Sequence, residues 1–294
     1  MKNKQTILIA GATGSIGMAA AIALAGRGAK VVLLGRSEDK LKAKVELIHA
    51  ALAESQIESQ NIEIDILAFD FSDMESVRLA ADEAKNRYPM INGLVLSVGA
   101  LIQDGPNILP GGHELMFATN VMGPFLFTQL LLKRMQVSDG LVLHVIAPFD
   151  KKIEWDDIES IRNHRSMLAF NRTKKFNRVI AGELARRYEG KISSVAFDPT
   201  YVIDKTDPDL NKRWPSGLNG FLWRIMTIFF AKLPAVAGEP LADLMLSHQD
   251  RSELNGALYK LYKRIDRPDK AMNDKVAGTK LWDELVLLTG LKPE

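Results

Sequence analysis

A glycine-rich turn near the N-terminus constrains this chain more than any other feature. Residues 6–10 form a short apolar run of the kind found in buried parallel strands. The sequence Gly11-Ala12-Thr13-Gly14-Ser15-Ile16-Gly17 follows directly, and residues 18–25 are rich in strong helix formers. In a strand–turn–helix unit, glycines at this spacing allow a sharp turn, close backbone approach to a pyrophosphate and tight helix packing. The pattern predicts a dinucleotide site at the helix N-terminus, and a plain strand-to-helix turn is the alternative.

Apolar strand-like runs and helix-like stretches alternate along the rest of the chain. We expect further strands at about 31–34, 62–69, 94–98, 141–146, 193–197 and 257–259. Predicted helices cover about 37–55, the segment after 72, 112–135, 165–188, 240–247 and 275–289. Ser37 is the expected N-cap of the second helix, and Ser72 with Glu75 the expected capping box of the third.

This alternation predicts an α/β fold. We expect a Rossmann-type, doubly wound parallel sheet of about seven strands with helices on both faces. No linker or internal repeat interrupts the chain, so residues 1–294 are predicted to form a single domain. The ligand crevice of such a sheet lies at the carboxyl ends of the strands.

Composition excludes several classes of function. The net charge of +2 is too balanced to predict a nucleic-acid partner. The chain has no cysteine, which excludes disulfides and thiol chemistry and fits a reducing compartment, so we expect a cytoplasmic protein. No metal-ligating cluster is predicted.

The most apolar segment covers residues 221–233. Arg224, Lys232 and Pro234 interrupt it well short of the ~20 apolar residues of a membrane-spanning helix, so no span is expected. Three interpretations stay open: a core helix, a membrane-surface element, and a substrate lid at about 204–237. Its position after the last predicted cofactor loop favours the lid, and its composition favours a large apolar substrate.

Two side chains at predicted strand ends bear on the choice of dinucleotide. Arg36 follows the second strand, where an acidic residue would bind the ribose hydroxyls of NAD. A cation there favours the 2′-phosphate of NADP(H), and an ordinary surface arginine is the alternative. Asp70, after the third strand, is a candidate acceptor for the adenine amino group.

Several local sequences resemble the short-chain dehydrogenase/reductase superfamily over nearly the whole length, most closely its retinol-dehydrogenase-like branch. The matching strings are DFSDMESV at 70–77, NVMGPFLFT at 120–128, EWDDI at 154–158, GELARR at 182–187, KLWDE at 280–284 and LTGL at 288–291. The resemblance implies cofactor contacts at Gly11, Thr13, Gly14, Ser15, Ile16, Gly17, Arg36, Asp70, Phe71, Ser97, Gly99, Asn120, Lys174, Pro199 and Thr206.

The chain departs from the family at its catalytic positions. Phe170 stands where the family has the tyrosine that protonates the substrate oxygen, and Ala147 where it has the serine that polarises the carbonyl. Asn120 and Lys174 match the family's asparagine and lysine, so we predict both as catalytic-site residues. Tyr201, beside the expected nicotinamide loop, is the candidate replacement for the lost tyrosine. Three other side chains are weaker substitutes: His144, His164 and Arg172.

The glycine turn and the strand end after Leu96 also differ from the family. Ser15 occupies the place of its middle glycine, and Leu96-Ser97-Val98-Gly99 replaces its usual Asn-Asn-Ala-Gly. Three functions stay open: an atypical NADP(H)-dependent reductase of a bulky apolar C=N substrate, a non-redox cyclase or isomerase, and a catalytically inactive NADP(H)-binding protein. Surface association with a membrane and the oligomeric state also stay open.

Overall fold

A single eight-stranded sheet organises the chain in the computed structural model, which describes residues 4–57, 62–101, 105–147, 150–203, 227, 231–247 and 250–292. Its strands are β1 (Thr6–Ala10), β2 (Lys30–Gly35), β3 (Glu63–Ala68), β4 (Gly93–Leu96), β5 (Leu141–Val145), β6 (Ser193–Asp198), β7 (Leu258–Lys260) and β8 (Lys263–Arg264). The order is β3-β2-β1-β4-β5-β6-β7-β8, and only β8 pairs antiparallel.

Helices cover both faces of this sheet. They are α1 (Ser15–Gly26), α2 (Glu38–Glu54), α3 (Met74–Arg87), α4 (Leu115–Gln136), α5 (Ser166–Arg187), α6 (Ala235–Leu246) and α7 (Lys275–Leu288). Of the two largest apolar clusters, one joins α1, α2 and α6 to the sheet, and the other joins α3, α4, α5 and α7. Gly238 lets α6 approach α1 closely, since a Cβ there would lie 2.6 Å from the carbonyl oxygen of Ala19.

The strand order reverses at β1. β2 lies on one side of β1 and β4 on the other. The connection after β1 runs toward β2 and the connection after β4 runs toward β5, so the two diverge at the carboxyl edge of the sheet. A crevice at such a switch point is the usual ligand site of an open α/β sheet. The predicted doubly wound fold is therefore confirmed, with eight strands in place of about seven.

The fourth helix differs from its predicted form. It begins at Leu115, not at residue 112, and its segment Ala118–Met122 is a π-helical turn. Asn120 lies in the middle of that turn. A π turn rotates and widens the helix locally, and such turns occur often at functional sites.

Three further expectations are corrected. The N-cap of α3 is Asp73, whose carboxylate accepts hydrogen bonds from the backbone N–H groups of Glu75 and Ser76, so the predicted capping box of Ser72 with Glu75 is wrong. Ser72 is engaged elsewhere, because its hydroxyl donates to Asp70. The helix predicted at 240–247 begins at Ala235, and β8 was not predicted at all.

Most of the predicted lid at about 204–237 lies outside the described residues, as do residues 221–226 and 228–230 of the apolar segment.

Among the described helices, Leu115–Gln136 is long and apolar enough to span a membrane by length and composition. However, 78% of its apolar window is buried inside the fold, and it packs as a core helix.

Candidate active site at the carboxyl edge of the sheet

The glycine turn between β1 and α1 has no room for side chains at two of its three glycines. Gly11 adopts a φ of +78°, and a Cβ there would lie 2.8 Å from the carbonyl carbon of Ser97. A Cβ on Gly17 would lie 2.4 Å from the carbonyl oxygen of Gly11. At Gly14 the nearest heavy atom would be 3.4 Å away, an ordinary contact. Gly14 therefore leaves the surface of the turn open without being needed for its packing.

The N-terminus of α1 is suited to an anion. Gly14 is its N-cap and offers no side-chain cap, and its first turn contains no acidic residue. The first backbone N–H groups of a helix lack intrahelical partners and carry the positive end of the helix dipole. These groups suit an anion, and binding of a pyrophosphate at this turn stays a prediction.

A cleft of about 360 Å³ opens beside this turn. It brings together eight of the predicted cofactor residues: Gly11, Thr13, Gly14, Arg36, Asp70, Phe71, Ser97 and Gly99. It is also lined by residues that were not predicted: Gly35, Phe69, Val98, Ala100, Leu115 and Thr119. The strand-end positions could have predicted Phe69 and Ala100, but no sequence signal marks Leu115 and Thr119, which lie in the first turns of α4.

Other predicted cofactor residues lie outside the lining of this cleft. Ser15, Ile16 and Gly17 belong to the first turn of α1, and Asn120, Lys174 and Pro199 are not among the residues that line the cleft. Thr206 lies outside the described residues.

Arg36 extends into solvent at the rim of the cleft. Its side chain is 78% exposed, and its Nη1 lies 3.9 Å from Oδ2 of Asp70. Asp70 is held in place, since its Oδ1 accepts hydrogen bonds of 2.8 Å from both the backbone N–H and the hydroxyl of Ser72. The contact between Arg36 and Asp70 leaves most N–H donors of the Arg36 guanidinium available, which suits binding of a phosphate group.

Asn120 holds the loop after β4. Its Oδ1 accepts from the backbone N–H of Ala100, and its Nδ2 donates to the carbonyl oxygen of the same residue, both at 2.8 Å. Nδ2 also lies 3.3 Å from the hydroxyl of Thr173, which sequence reasoning missed. Asn120 is fully buried, so in this arrangement it fixes backbone at the edge of the cleft.

Lys174 ties α5 to the same loop. Its Nζ donates to the carbonyl oxygen of Val98 at 2.9 Å, and a Cβ on Gly99 would lie only 3.1 Å from this nitrogen. Gly99 therefore makes the space that the ammonium group occupies. Burial lowers the pKa of Lys174 to about 8, because desolvation penalises the charged form.

Phe170 lies beside this ammonium group. The ring centroid is 5.6 Å from Nζ of Lys174, and its Cε2 would lie 3.9 Å from a Cβ on Gly99. Ala147 follows the end of β5 and is half-buried. Neither side chain can donate or accept a proton, so these two positions offer no hydrogen bond to a substrate oxygen.

Tyr201 has its hydroxyl engaged by another side chain. Its oxygen lies 2.9 Å from Oγ1 of Thr227, and burial raises the pKa of the phenol.

The preceding residue, Thr200, has a φ of +65°, which is strained for a β-branched side chain. The Oγ1 of Thr200 is buried and has no hydrogen-bond partner among the described residues. Sequence reasoning missed Thr200 and Thr227.

The three weaker candidate substitutes, His144, His164 and Arg172, lie in positions that point to a structural role. His144 is buried in the sheet, and desolvation lowers its pKa to about 3, so it stays neutral. Arg172 is buried and pairs with Glu154, while also donating to the hydroxyl of Ser160. His164 contacts the carbonyl oxygen of Ser160. These contacts orient the segment before α5.

Comparisons with known proteins agree with this geometry. Residues 5–148 match the family model described as short chain dehydrogenase. Retinol dehydrogenase 12 of Mus musculus is 28% identical over 294 residues, covering 99% of this chain and 88% of that protein. A short-chain dehydrogenase/reductase of Armillaria gallica is 27% identical over 295 residues, covering 96% of this chain and 89% of that protein.

Solved structures share the fold. The alcohol dehydrogenase of Thermococcus sibiricus in complex with 5-hydroxy-NADP gives a TM-score of 0.63 at 20% identity, covering 90% of this chain and 100% of that chain. The match to retinol dehydrogenase 12 confirms the predicted resemblance to retinol-dehydrogenase-like proteins. The assignment of Phe170 and Ala147 to the lost catalytic positions stays a prediction.

Proposed function

We propose that the chain is a member of the short-chain dehydrogenase/reductase superfamily and, within it, an atypical NADP(H)-dependent reductase, because residues 5–148 match the short chain dehydrogenase family model and retinol dehydrogenase 12 of Mus musculus aligns with 99% of the chain. Its substrate in this proposal is a bulky apolar molecule with a C=N bond in the cationic, iminium form. One observation supports this choice above others. The buried lysine and asparagine of the site are present, while Phe170 and Ala147 supply no group that handles oxygen.

The residues of the cleft fit such a cofactor. The turn from Gly11 to Gly17 leaves backbone N–H groups open for the pyrophosphate, and Arg36 would hold the 2′-phosphate. Asp70 would accept from the adenine amino group. Lys174 would use the N–H bonds not given to Val98 for ribose hydroxyls. When bound, NADPH supplies a hydride to a carbon acceptor.

The chain's own residues then explain why an iminium suits the site. A ketone needs a proton on oxygen as hydride arrives, and losing the general acid costs about 10²–10⁴ in rate. An iminium nitrogen becomes neutral when the hydride arrives and needs no proton. Phe170 adds an aromatic face, which attracts cations through its quadrupole.

The test uses the purified protein with NADPH and matched pairs of cyclic iminium salts and ketones of similar bulk. Loss of NADPH absorbance with the iminium salts and not with the ketones supports the proposal. Reduction of ketones at ordinary rates would overturn it. Calorimetry with NADPH alone, run in parallel, separates a failure of binding from a failure of chemistry.

One argument also favours a second function for the same cleft, in which it binds NADP(H) without catalysis. By the predicted assignment, Phe170 and Ala147 together leave the site without a group that handles oxygen, as expected of a protein that binds NADP(H) without reacting. Tight NADPH binding without NADPH consumption, for every iminium salt and ketone tested, would favour this non-catalytic function. Conversion of a substrate with no net loss of NADPH would instead favour the cyclase or isomerase.

A further inference from the structure

The β7–β8 hairpin concentrates positive charge that the proposed reaction does not use. Lys260, Lys263, Arg264 and Arg267 are all exposed. Within the described ranges, none of the four has an ion-pair partner, and the neighbouring Asp266 is the only exposed acid between Lys260 and Arg267. The whole chain has a net charge of only +2, so the hairpin is a local concentration of charge.

Two of these cations repel each other in the folded state. Lys260 pairs directly opposite Lys263 across the antiparallel ladder. Like charges in such cross-strand positions are destabilising, and no described acid relieves them. An anion bound at the hairpin would relieve this repulsion.

The tip of the hairpin has unusual residues for a tight turn. Two-residue hairpin turns favour Asn-Gly or related pairs, but this turn is Leu261-Tyr262. Leu261 adopts a φ of +52° and packs against the core, while the side chain of Tyr262 is 65% exposed. The strained turn thus carries an exposed aromatic residue between Lys260 and Lys263 in the sequence.

The tip lies at the same sheet edge as the cleft. β7 runs parallel to β6 with Lys260 opposite Asp198, and the backbone N–H of Leu261 donates to the carbonyl oxygen of Asp198 at 3.1 Å. The loop that carries Thr200 and Tyr201 leaves β6 at this point. A surface bound by the hairpin would therefore face the ligand-binding edge of the sheet.

We propose that the tip of the β7–β8 hairpin docks on the surface of an anionic phospholipid bilayer. Lys260, Lys263, Arg264 and Arg267 contact the lipid phosphates and carboxylates, since basic residues near such a surface are attracted individually. The ring of Tyr262 enters the headgroup layer, where amphipathic aromatic side chains are stable. This docking is independent of the reaction; only its consequence, delivery of an apolar substrate from the lipid, rests on the proposed function.

The test is co-sedimentation of the full chain with vesicles, without NADPH or substrate. One set contains phosphatidylcholine alone, and the other also contains phosphatidylserine. We expect binding to the second set only, and weakening by added salt. The triple variant Lys260→Gln, Lys263→Gln, Arg264→Gln should bind about 100-fold more weakly, and Tyr262→Ala several-fold more weakly.

A matched variant controls for total charge. Lys40→Gln, Lys133→Gln, Lys275→Gln removes three exposed cations from α2, α4 and α7, and it should bind as the unmodified chain does. Equal losses in both triple variants would overturn the proposal, as would tighter binding to an RNA or DNA oligonucleotide than to the anionic vesicles. Circular dichroism on the hairpin variant confirms folding, which the loss of the Lys260–Lys263 repulsion should not impair.

Discussion

Lys174 donates a hydrogen bond from its buried Nζ to the carbonyl oxygen of Val98, at 2.9 Å. The bond joins the middle of α5 to the loop after β4, at the carboxyl edge of the sheet. It gives the ammonium group only one described hydrogen-bond partner, which does not replace its lost hydration. The depressed pKa of this lysine follows from that imbalance.

The first prediction concerns the pH dependence of stability. The pKa of Lys174 is about 8 in the folded chain and ordinarily 10.5, so between these values the unfolded chain holds more protons. The stability of the wild type should therefore rise with pH across this window, relative to the variant Lys174→Met, by on the order of 3 kcal/mol. Urea unfolding of both proteins at several pH values measures the difference. A difference that stays constant from pH 7 to 10 would contradict the burial of a titrating lysine.

The second prediction separates two glycines of the opening turn. A Cβ on Gly17 would meet the carbonyl oxygen of Gly11 at 2.4 Å, so Gly17→Ala should destabilise the fold by more than about 2 kcal/mol. Gly14 has ordinary space around it, so Gly14→Ala should change stability by less than about 1 kcal/mol. The added methyl group should nevertheless block the approach of a pyrophosphate and weaken NADPH binding at least about tenfold. Chemical unfolding and calorimetry give the two quantities; an unchanged NADPH affinity in Gly14→Ala would place the phosphates elsewhere.

The main features of the fold were predictable because its inner strands are short, continuous apolar runs. β8 was not, since Lys263 and Arg264 are polar and pair only because the Leu261-Tyr262 turn folds them back. The cap of α3 was ambiguous for a different reason. Asp70, Ser72 and Asp73 can all act as caps, and only the path of the chain decides that Ser72 binds Asp70 while Asp73 binds the helix.

The site was predictable in its positions and less so in its contacts. Strand ends and glycine spacing predict which residues line the cleft, because parallel strands all end at one edge. The partner of Lys174 is a backbone carbonyl, which no sequence pattern marks. Tyr201 meets Thr227 across 26 residues of chain, and the strain at Thr200 depends on how β6 ends.

The third prediction concerns Arg36. Its guanidinium is exposed and lies 3.9 Å from Asp70, so its removal should not unfold the chain. Arg36→Gln should weaken NADPH binding by about 10–100-fold and leave NADH binding unchanged, since a charge-assisted hydrogen bond contributes about 1.5–3 kcal/mol. Lys42→Gln, an exposed cation of α2 paired with Glu38, is the matched control and should alter neither affinity. Equal weakening of NADPH and NADH in Arg36→Gln would remove the basis for a preference for NADP(H).

The fourth prediction uses the strained backbone after β6. Thr200 has a φ of +65° and a buried hydroxyl with no partner among the described residues, so both its backbone and its side chain are unfavourable. Thr200→Gly should stabilise the chain by about 1–2 kcal/mol after the entropic cost of glycine. Thr200→Ala removes the buried hydroxyl together with the γ-methyl group but keeps a Cβ on the strained backbone, so it should stabilise the chain less. Thermal unfolding ranks the three proteins; a loss of stability in Thr200→Gly would show that the threonine contributes to the fold.

The fifth prediction tests whether the cleft retains the geometry for ordinary carbonyl chemistry. Phe170 lies beside Lys174, whose positive charge would lower the pKa of a phenol placed there, and Ala147 is half-buried just after β5. The double variant Phe170→Tyr, Ala147→Ser should gain ketone reduction with NADPH by about 10²–10⁴ over the wild type, because a general acid is restored. The control Phe170→Leu, Ala147→Ser restores only the serine and should gain far less. Initial rates with a matched ketone measure both variants, and calorimetry confirms that each binds NADPH. If the double variant binds the cofactor and still reduces no ketone, the nicotinamide does not lie beside residue 170, and the proposed reductase activity would lose its structural basis.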